Sequence, residues 1–596
     1  MPGLIAQQFT YPNARKEIFD TTIFNQKIQD EYFWMSKKEN EAEMLVYGKE
    51  QGNLAKQILD SIPGSALLQK QMDDLFMQME SEIWRLTPVG KFLYYYRYVP
   101  GKGNTLCRRK IPNGAEEELL SRVRINGQAY SMRKMVFAYH QPLVAMMLTQ
   151  GGYKNPQIRI FDLDKKEFLK DSISSVMFND SRGVSMNWSP DDRFIFYTIS
   201  PLTELHAEKY FRGQIKQHTI GTSQMEDKPI FGFDVNDQIK LAAQETPYIY
   251  SFKNSPYLIA RIRSGQGENY AFAVHYSKLN GAKTPWIKLK NYINLGDGFD
   301  ANDKWLYAAT KGADRYRIVK IDMSSGKITE EFLPEQNELI AATDAYHNKA
   351  IIAGKTDLYV LLRQIGSMKI LKINLKTRKS AFLLLASGVS FNQMALMNDN
   401  DLLFCQSSAI KSDFYQYYDA VANRIRKFEF ADSVLDKSEE LNTDVIWIPS
   451  RDGKEIPVSV VYAKTTKLET NNAWLIEGYG NAGASRDMYF DPAVYPWIKQ
   501  GGVYAYAHVR GGGELGEDWY KDGQYPHKMN SVNDIVDIAS WLDANNYSSA
   551  SKIVLMGESA GSFLVGNSIN QRPDLFAAGI YIVGLPDLAL HTDAAG

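Results

Sequence analysis

The spacing of hydrophobic and polar positions changes twice along the chain. In residues 1–80 apolar positions recur at helical spacing, as in EAEMLVYGKEQGNLAKQILDSI, which predicts a helical N-terminal segment. Residues 81–441 carry short runs with a period of two, separated by Gly, Asn, Asp and Ser clusters. In residues 442–596 continuous apolar runs alternate with amphipathic segments, which predicts an α/β domain built on a parallel sheet.

Hairpins of the middle region share one form. An apolar strand ends in Asp or Asn, a short turn with Lys or Gly follows, and a second strand begins, as in IDMSSGKITEEF and INLKTRKSAFLL. Repeated units of this kind bury their faces against their neighbours when they close into a ring. The pattern therefore predicts a β-propeller over residues 81–441, although its irregular period does not give the number of blades.

The last region predicts five strands and three helices. The strand candidates are VSVVYA, AWLIEGYG, VYAYAHVRG, KIVLMGES and AGIYIVG. The helix candidates between them are DMYFDPAVYPWIKQG, SVNDIVDIASWLDAN and SFLVGNSINQRPDLF. Strands of this length with helices between them are typical of a sheet that is covered on both faces.

Composition limits the classes of function. A chain of 596 residues exceeds what one hydrophobic core serves, and a net charge of -1 gives no attraction to nucleic acid or to anionic membrane. The only two cysteines, Cys107 and Cys405, indicate neither a disulfide framework nor a zinc site, and we expect buried, idle thiols. No cofactor motif is present, because residues 511–513 lack the spacing of a dinucleotide-binding loop. The N-terminus has no signal-peptide pattern, which predicts a cytoplasmic protein, or a periplasmic one if a signal sequence was removed.

The chemistry centres on Ser559. The apolar run KIVLM leads into Gly557-Glu558-Ser559-Ala560-Gly561, and the apolar segment SFLVGNSI follows. This is G-x-S-x-G at a strand-to-helix turn, where the glycines allow a sharp bend and the serine hydroxyl stands above the sheet. The backbone N–H of Ala560, at the start of a helix, is directed toward a developing oxyanion. The alternative is a glycine-rich turn into a helix with no chemistry.

Several further segments resemble the prolyl oligopeptidase family, which includes prolyl oligopeptidase and oligopeptidase B. The most specific is AHVRGGGELGEDWYKDG at residues 507–523, similar to the family's R-G-G-G-E-x-G signature. The others, in chain order, are DEYFW at 30–34, WSPDD at 188–192, QHTIGT at 217–222 with Glu226-Asp227, and NQRPDLF at 570–576. The resemblance thus extends from about residue 20 to the end.

The resemblance implies a seven-bladed propeller over an α/β-hydrolase domain, with the N-terminal segment packed on the hydrolase. It implies a serine peptidase whose substrates are short peptides, because the propeller excludes folded proteins. Tyr479 aligns with the tyrosine whose hydroxyl is the family's second oxyanion donor, and each such donor contributes roughly 3 kcal/mol. Ala482 stands where prolyl oligopeptidases have an aromatic residue of the proline pocket, so strict proline specificity is not expected.

A serine nucleophile needs an imidazole base and an orienting carboxylate. Only 37 residues follow Ser559, and the resemblance places the Asp and His roughly a hundred or more residues past the nucleophile, so we expect both to be absent from this chain. His591 and Asp593 lie too close together to replace them. His508 and His527 precede the serine and are expected to be structural.

The last predictions concern two charged residues of the signature, Arg510 and Glu514, and the strand that follows the nucleophile helix. Arg510 and Glu514 are expected to hold their loop or a substrate terminus, since such charges usually pair with each other. The strand at residues 578–583 is expected to form an exposed apolar edge.

Three functions stay open. The first is a short-peptide hydrolase that acts through a Ser559 acyl-enzyme, with impaired activity in this chain. The second is a non-catalytic protein that binds peptides or a partner. The third is an esterase or acylaminoacyl hydrolase with the same nucleophile, because acyl transfer to water uses one machinery for both peptide and ester bonds.

Overall fold

The computed structural model describes residues 9–23, 25–79, 82–99, 103–151, 154–179, 183–199, 211–263, 269–289, 298–310, 313–341, 349–430, 434–468 and 471–584. The N-terminal segment contains helices α1 (Glu41–Ser61) and α2 (Ser65–Gln78), as its periodicity predicts. A hairpin of β1 (Phe19–Ile23) and β2 (Gln26–Asp30) precedes them and was not predicted, because it is too exposed to show an alternating pattern.

Seven sheets follow, each one blade of a propeller, and the expected number of blades is confirmed. The first blade contains β3 (Glu82–Val89), β4 (Phe92–Val99), β5 (Gly103–Lys110) and β6 (Glu116–Leu120). The second contains β7 (Val123–Ile125), β8 (Gln128–Phe137), β9 (Leu143–Gln150), β10 (Lys154–Asp162) and β11 (Glu167–Ser174). After a small strand pair, β12 (Phe178–Asn179) and β13 (Gly183–Val184), the third contains β14 (Met186–Trp188), β15 (Phe194–Ile199), β16 (Gln214–Thr219) and β17 (Lys228–Gly232).

The fourth blade contains β18 (Thr246–Phe252), β19 (Ser255–Arg263), β20 (Asn269–His275) and β21 (Ile287–Lys288), and the fifth contains β22 (Phe299–Asn302), β23 (Trp305–Thr310), β24 (Arg317–Asp322) and β25 (Lys327–Leu333). The sixth contains β26 (Leu339–Ile340), β27 (Ile351–Ala353), β28 (Asp357–Gln364), β29 (Ser367–Asn374) and β30 (Ser380–Phe382). The seventh contains β31 (Ser390–Leu396), β32 (Leu402–Ser408), β33 (Lys411–Asp419) and β34 (Arg424–Lys427). Neighbouring strands in each blade pair antiparallel, and in the sixth blade β28 pairs both β26 and β27.

The first and last blades close the ring side by side. The Gln393 side chain on β31 accepts a hydrogen bond from Leu86 N at 2.8 Å and donates one to Leu86 O at 2.8 Å. One apolar cluster spans both blades and includes Cys107 and Cys405. Both are free, buried thiols, as predicted, and burial raises the pKa of Cys107 to about 12.

The α/β domain forms one six-stranded sheet. Its strands are β35 (Leu441–Pro449), β36 (Glu455–Ala463), β37 (Trp474–Gly478), β38 (Val503–Ala507), β39 (Ile553–Glu558) and β40 (Ala578–Ile582), in the spatial order β35-β36-β38-β37-β39-β40. The last four in that order are parallel, whereas β35 and β36 are antiparallel additions. The prediction of an α/β domain is confirmed, but β35 was missed.

Four helices accompany this sheet: α3 (Tyr495–Lys499), α4 (Glu517–Lys521), α5 (Met529–Ala544) and α6 (Ser562–Gln571). The helix predicted over residues 487–501 is reduced to α3. Pro492 disfavours helical dihedrals at Asp491, whereas Pro496 lies in the first turn of α3, where its missing N–H needs no partner. The N-terminal α2 packs against α3. Shorter 3₁₀ turns span Phe33–Ser36, Lys38–Asn40, Gln224–Glu226, Tyr276–Lys278, Tyr525–His527, Ala550–Lys552, Ser559–Gly561 and Pro573–Leu575.

The outermost strand of the described sheet, β40, is exposed along its length, as predicted. Its apolar side chains Ile580, Tyr581 and Ile582 are all more than one-third exposed. Within the described residues, no helix combines the length and the apolar character that crossing a membrane requires.

A buried ionic cluster holds the second blade to the third. His218 on β16 is fully buried, with Nδ1 2.7 Å from Asp227 and Nε2 3.1 Å from Asp171 on β11. Tyr197 donates a second hydrogen bond to Asp227 at 2.7 Å. Burial alone lowers the pKa of His218, but the two carboxylates outweigh it and raise this pKa to about 9.

This cluster predicts a pH-dependent stability. An unfolded histidine titrates near 6.5, so the ionic cluster stabilises the fold fully below about pH 6.5 and loses its contribution as pH rises through about 9, an effect of about 3 kcal/mol. Thermal unfolding by calorimetry should show wild type and His218→Gln converging as pH rises from 6.5 to 9.5. His140→Gln, at an exposed histidine, serves as the control. A constant difference between wild type and His218→Gln would contradict the assignment.

Candidate active site

Ser559 lies on a sharp, strained turn. It follows β39 directly, and its φ of +51° lies in the left-handed region, which costs a non-glycine residue on the order of 1–3 kcal/mol. A Cβ on Gly557 would lie 2.4 Å from Gly561 O, and a Cβ on Gly561 would lie 2.6 Å from Gly478 O. Both glycines of G-x-S-x-G are therefore required by close backbone approach, as the motif predicts.

Tyr479 and Ser559 leave adjacent parallel strands at the same edge of the sheet. Tyr479 follows β37 and Ser559 follows β39, and these two strands pair directly. The Tyr479 ring lies against the turn, since its Cδ2 is 3.5 Å from the position of a Cβ on Gly561. Ala560 lies in the 3₁₀ turn that leads into α6, where Ser562 Oγ donates a hydrogen bond to Ser559 O at 2.6 Å. The structure thus brings all three predicted site residues together.

Two carboxylates flank this edge, and one guanidinium joins them. Arg486 Nη1 lies 2.9 Å from Glu477 on β37, and its Nη2 lies 3.0 Å from Glu558, the residue before Ser559. The same guanidinium stands 5.0 Å from the centre of the Tyr479 ring. Tyr504 on β38 donates to the other oxygen of Glu477 at 2.6 Å. Sequence reasoning missed Arg486, because no motif marks it and its partners lie 9 and 72 positions away.

The R-G-G-G-E signature adjoins the site through Glu514. Arg510 is almost fully buried and forms an ion pair with Asp534 through Nη2 and a second ion pair with Asp452 through Nη1. The expectation that Arg510 and Glu514 pair with each other is wrong. The Glu514 carboxylate instead folds back over Gly512, because a Cβ added to Gly512 would lie 2.2 Å from Glu514 Oε2. Glu514 Oε1 accepts a hydrogen bond from the backbone N–H of Arg486 at 3.2 Å.

None of the five described histidines forms a hydrogen bond with Ser559. His508 is buried, with Nε2 2.8 Å from Ser459 Oγ and Nδ1 3.5 Å from Glu514. His527 lies in an exposed 3₁₀ turn. His591 and Asp593 lie outside the described residues. Among the described residues there is also no cluster of three or more His, Cys, Asp or Glu side chains that could hold a metal ion.

The propeller meets the hydrolase domain beside this edge. Arg363 of the sixth blade, 1% exposed, binds Asp487 through Nη2 at 2.8 Å and Nε at 3.1 Å. Two backbone N–H groups at the start of α4 donate hydrogen bonds to Asp314 of the propeller. Glu517 N donates to the Asp314 carbonyl at 2.9 Å, and Asp518 N donates to the Asp314 carboxylate at 2.8 Å.

A cavity of about 310 Å³ lies between the two domains. Both domains line it, the propeller with residues such as Arg315 and Arg363 and the hydrolase domain with Trp447 and Glu514. The cavity adjoins the site, because Glu514 also accepts the backbone N–H of Arg486.

Comparison with known proteins agrees with this geometry. Similar curated proteins include the prolyl endopeptidase of Elizabethkingia meningoseptica, 24% identical over 97% of this chain and 79% of its own length. They also include dipeptidyl aminopeptidase BI of Pseudoxanthomonas mexicana, 23% identical over 94% of this chain and 77% of its own length.

Solved structures show the same fold. A prolyl endopeptidase superposes with a TM-score of 0.82 at 21% identity, covering 97% of this chain and 82% of that one. Oligopeptidase B of Leishmania major superposes with a TM-score of 0.77 at 19% identity, covering 98% and 84%.

Two family models match in succession. The N-terminal β-propeller domain of prolyl oligopeptidase matches residues 11–429, and the prolyl oligopeptidase family model matches residues 488–595. Together they cover most of the chain, in the order in which the structure presents the propeller and the hydrolase domain. The chain belongs to the prolyl oligopeptidase family of serine peptidases.

Proposed function

We propose that this protein hydrolyses short peptides through an acyl-enzyme at Ser559, with Ala560 N–H and the Tyr479 hydroxyl as oxyanion donors. The observation that carries the proposal is the strained backbone of Ser559, at φ +51°, between two glycines that no larger residue could replace. Strain of this kind persists where the surrounding structure over-determines it, and it places the serine hydroxyl at the sheet edge where Tyr479 follows the adjacent strand.

The chemistry follows from the placement of these groups. Ser559 Oγ attacks the peptide carbonyl, and the negative charge that develops on the carbonyl oxygen is met by the two donors. An imidazole accepts the hydroxyl proton and passes it to the leaving amine, and water then hydrolyses the ester. Because no described histidine bonds to Ser559, we place this imidazole and its carboxylate outside the described residues.

Short peptides are the proposed substrates. The cavity between propeller and hydrolase domain, about 310 Å³, has room for side chains of a peptide but not for a folded protein. The names of two similar proteins, prolyl endopeptidase and dipeptidyl aminopeptidase BI, support peptide cleavage. At the position of the expected proline-pocket aromatic, Ala482 is exposed with φ +57°, so we propose cleavage that is not restricted to proline.

Chemical rescue tests the nucleophile and the need for an imidazole base together. The 596-residue chain is expected to react slowly with an uncharged fluorophosphonate, because the Ser559 hydroxyl has no imidazole among its described neighbours. Added imidazole should accelerate labelling by up to about 100-fold, because a positioned general base contributes about 100- to 10,000-fold and an imidazole that diffuses in recovers only part of that. Mass spectrometry should locate the label on Ser559, and Ser559→Ala should abolish it.

Two outcomes would contradict parts of this proposal. Fast labelling of Ser559 without imidazole would contradict the expected slow reaction, and loss of that fast labelling in His591→Ala would identify His591 as the base. No Ser559-dependent labelling under either condition would refute the nucleophile and favour a protein that binds peptides without cleaving them.

The second oxyanion donor is tested by Tyr479→Phe. Removing one donor costs about 100-fold in rate, so the maximal labelling rate with imidazole should fall by about that factor while the affinity for the probe stays unchanged. Tyr525→Phe, at a side chain that is 84% exposed, is the matched control and should label at the wild-type rate. A fall of less than about threefold in Tyr479→Phe would remove Tyr479 from the oxyanion site.

A further inference from the structure

Arg486 lies where the two halves of the site meet. Glu477 belongs to the strand that leads to Tyr479, and Glu558 belongs to the strand that leads to Ser559. Arg486 bonds both carboxylates, at 2.9 and 3.0 Å, and therefore spans the ends of the two strands. A planar guanidinium is suited to this task, because its separate N–H groups bind two acceptors in fixed directions.

The charge of Arg486 also matters to the reaction. Glu558 is the residue before Ser559, and an isolated carboxylate there would oppose the negative charge of the tetrahedral intermediate. Burial alone lowers the pKa of Arg486, but Tyr506 and the two carboxylates outweigh it, so the guanidinium stays charged. Arg486 therefore offsets one of the two negative charges of Glu477 and Glu558, which weakens this repulsion on the intermediate.

The third partner of Arg486 is the ring of Tyr479. A cation 5.0 Å from the ring centre is within the distance at which the ring face attracts it. This contact holds the ring from one side, while the turn at Gly561 packs against it. The orientation of the Tyr479 hydroxyl therefore depends on where Arg486 lies.

The backbone that carries Arg486 is fixed by both domains. The Arg486 N–H donates to Glu514 at 3.2 Å within the hydrolase domain. The next residue, Asp487, binds the buried Arg363 of the sixth blade. The carbonyl of Met488 accepts a hydrogen bond from Ser390 Oγ of the seventh blade at 3.0 Å. Three successive residues thus join the propeller to the strand ends.

We infer that Arg486 is a positioning residue: it holds the Tyr479 ring in place and reduces the negative charge at Glu558, the residue before Ser559. It does so from a segment, residues 486–488, that the propeller anchors. The inference rests on the proposed function of Ser559 and Tyr479. It assigns no step of bond making or breaking to Arg486, which acts through its neighbours.

A purely structural role would be the alternative, in which Arg486 only ties two strands together. The two roles differ in one respect. If the charge matters, removing Glu558 as well should restore reactivity to a variant without Arg486, whereas a strand tie is not restored by removing its second partner.

The experiment compares labelling kinetics, with imidazole present, for Arg486→Met, Glu558→Gln and the double variant. Arg486→Met should lower the maximal labelling rate about 30-fold with unchanged probe affinity, because the loss affects the charged intermediate. Glu558→Gln alone should stay within about threefold of wild type, and the double variant should regain about tenfold. Arg486→Lys, which keeps the charge, should lie between wild type and Arg486→Met.

Arg451→Met is the matched control, because Arg451 also bonds two side chains of the hydrolase domain, Asp537 and Asn533, but not the site. It should label at the wild-type rate. Equal loss of rate in Arg486→Met and in the double variant would overturn the electrostatic role, and so would a loss confined to probe affinity.

A second measurement does not depend on labelling. With 3-fluorotyrosine at position 479, the ¹⁹F spectrum should show one narrow line in the wild-type background and a shifted, broadened line in Arg486→Met, with Arg451→Met unchanged. An unchanged line in Arg486→Met would overturn the positioning role. If wild-type Ser559 is never labelled but the ¹⁹F line shifts as stated, the proposed nucleophile fails while the contact between Arg486 and Tyr479 stands.

Discussion

The close approach of three backbone segments at Ser559 constrains the rest of the hydrolase domain. Gly557, Gly561 and the carbonyl of Gly478 lie so near one another that a Cβ on either of the first two would collide. This contact is possible only because β37 and β39 are adjacent parallel strands that end at the same edge. The sheet therefore fixes the turn, the turn fixes the left-handed backbone of Ser559, and Tyr479 lies beside it because its own strand ends there.

The sequence predicts a structural feature well when the residues that determine that feature are close together in the chain. The turn at Ser559, the helix after it and the parallel strands are set by contiguous residues, and all were predicted. The α/β class was predicted from alternating segments, while β35 was missed, because its outer face is partly exposed and its pattern is weak. The seven blades needed the family resemblance, because the hairpin period is irregular in sequence although each blade is complete in space.

Contacts between distant residues could not be predicted at all. Arg486 meets Glu558 across 72 positions and Arg363 meets Asp487 across 124, and nothing in the local sequence of either pair indicates the other partner. The same applies to Arg510, which was expected to bind Glu514 four positions away. It binds Asp534 on α5 instead, because the glycines of its loop turn Glu514 back over Gly512.

These long-range ion pairs also explain how a propeller can influence chemistry on another domain. A buried ion pair adds little net stability, because desolvation of both partners offsets their attraction, but it penalises other arrangements strongly. Arg363 and Asp487 thus act chiefly by fixing geometry. Because the residue before Asp487 is Arg486, any separation of the sixth blade from the hydrolase domain also disturbs the partners of Arg486. Under the proposed function, the placement of Tyr479 beside Ser559 therefore depends on the contacts between the propeller and the hydrolase domain.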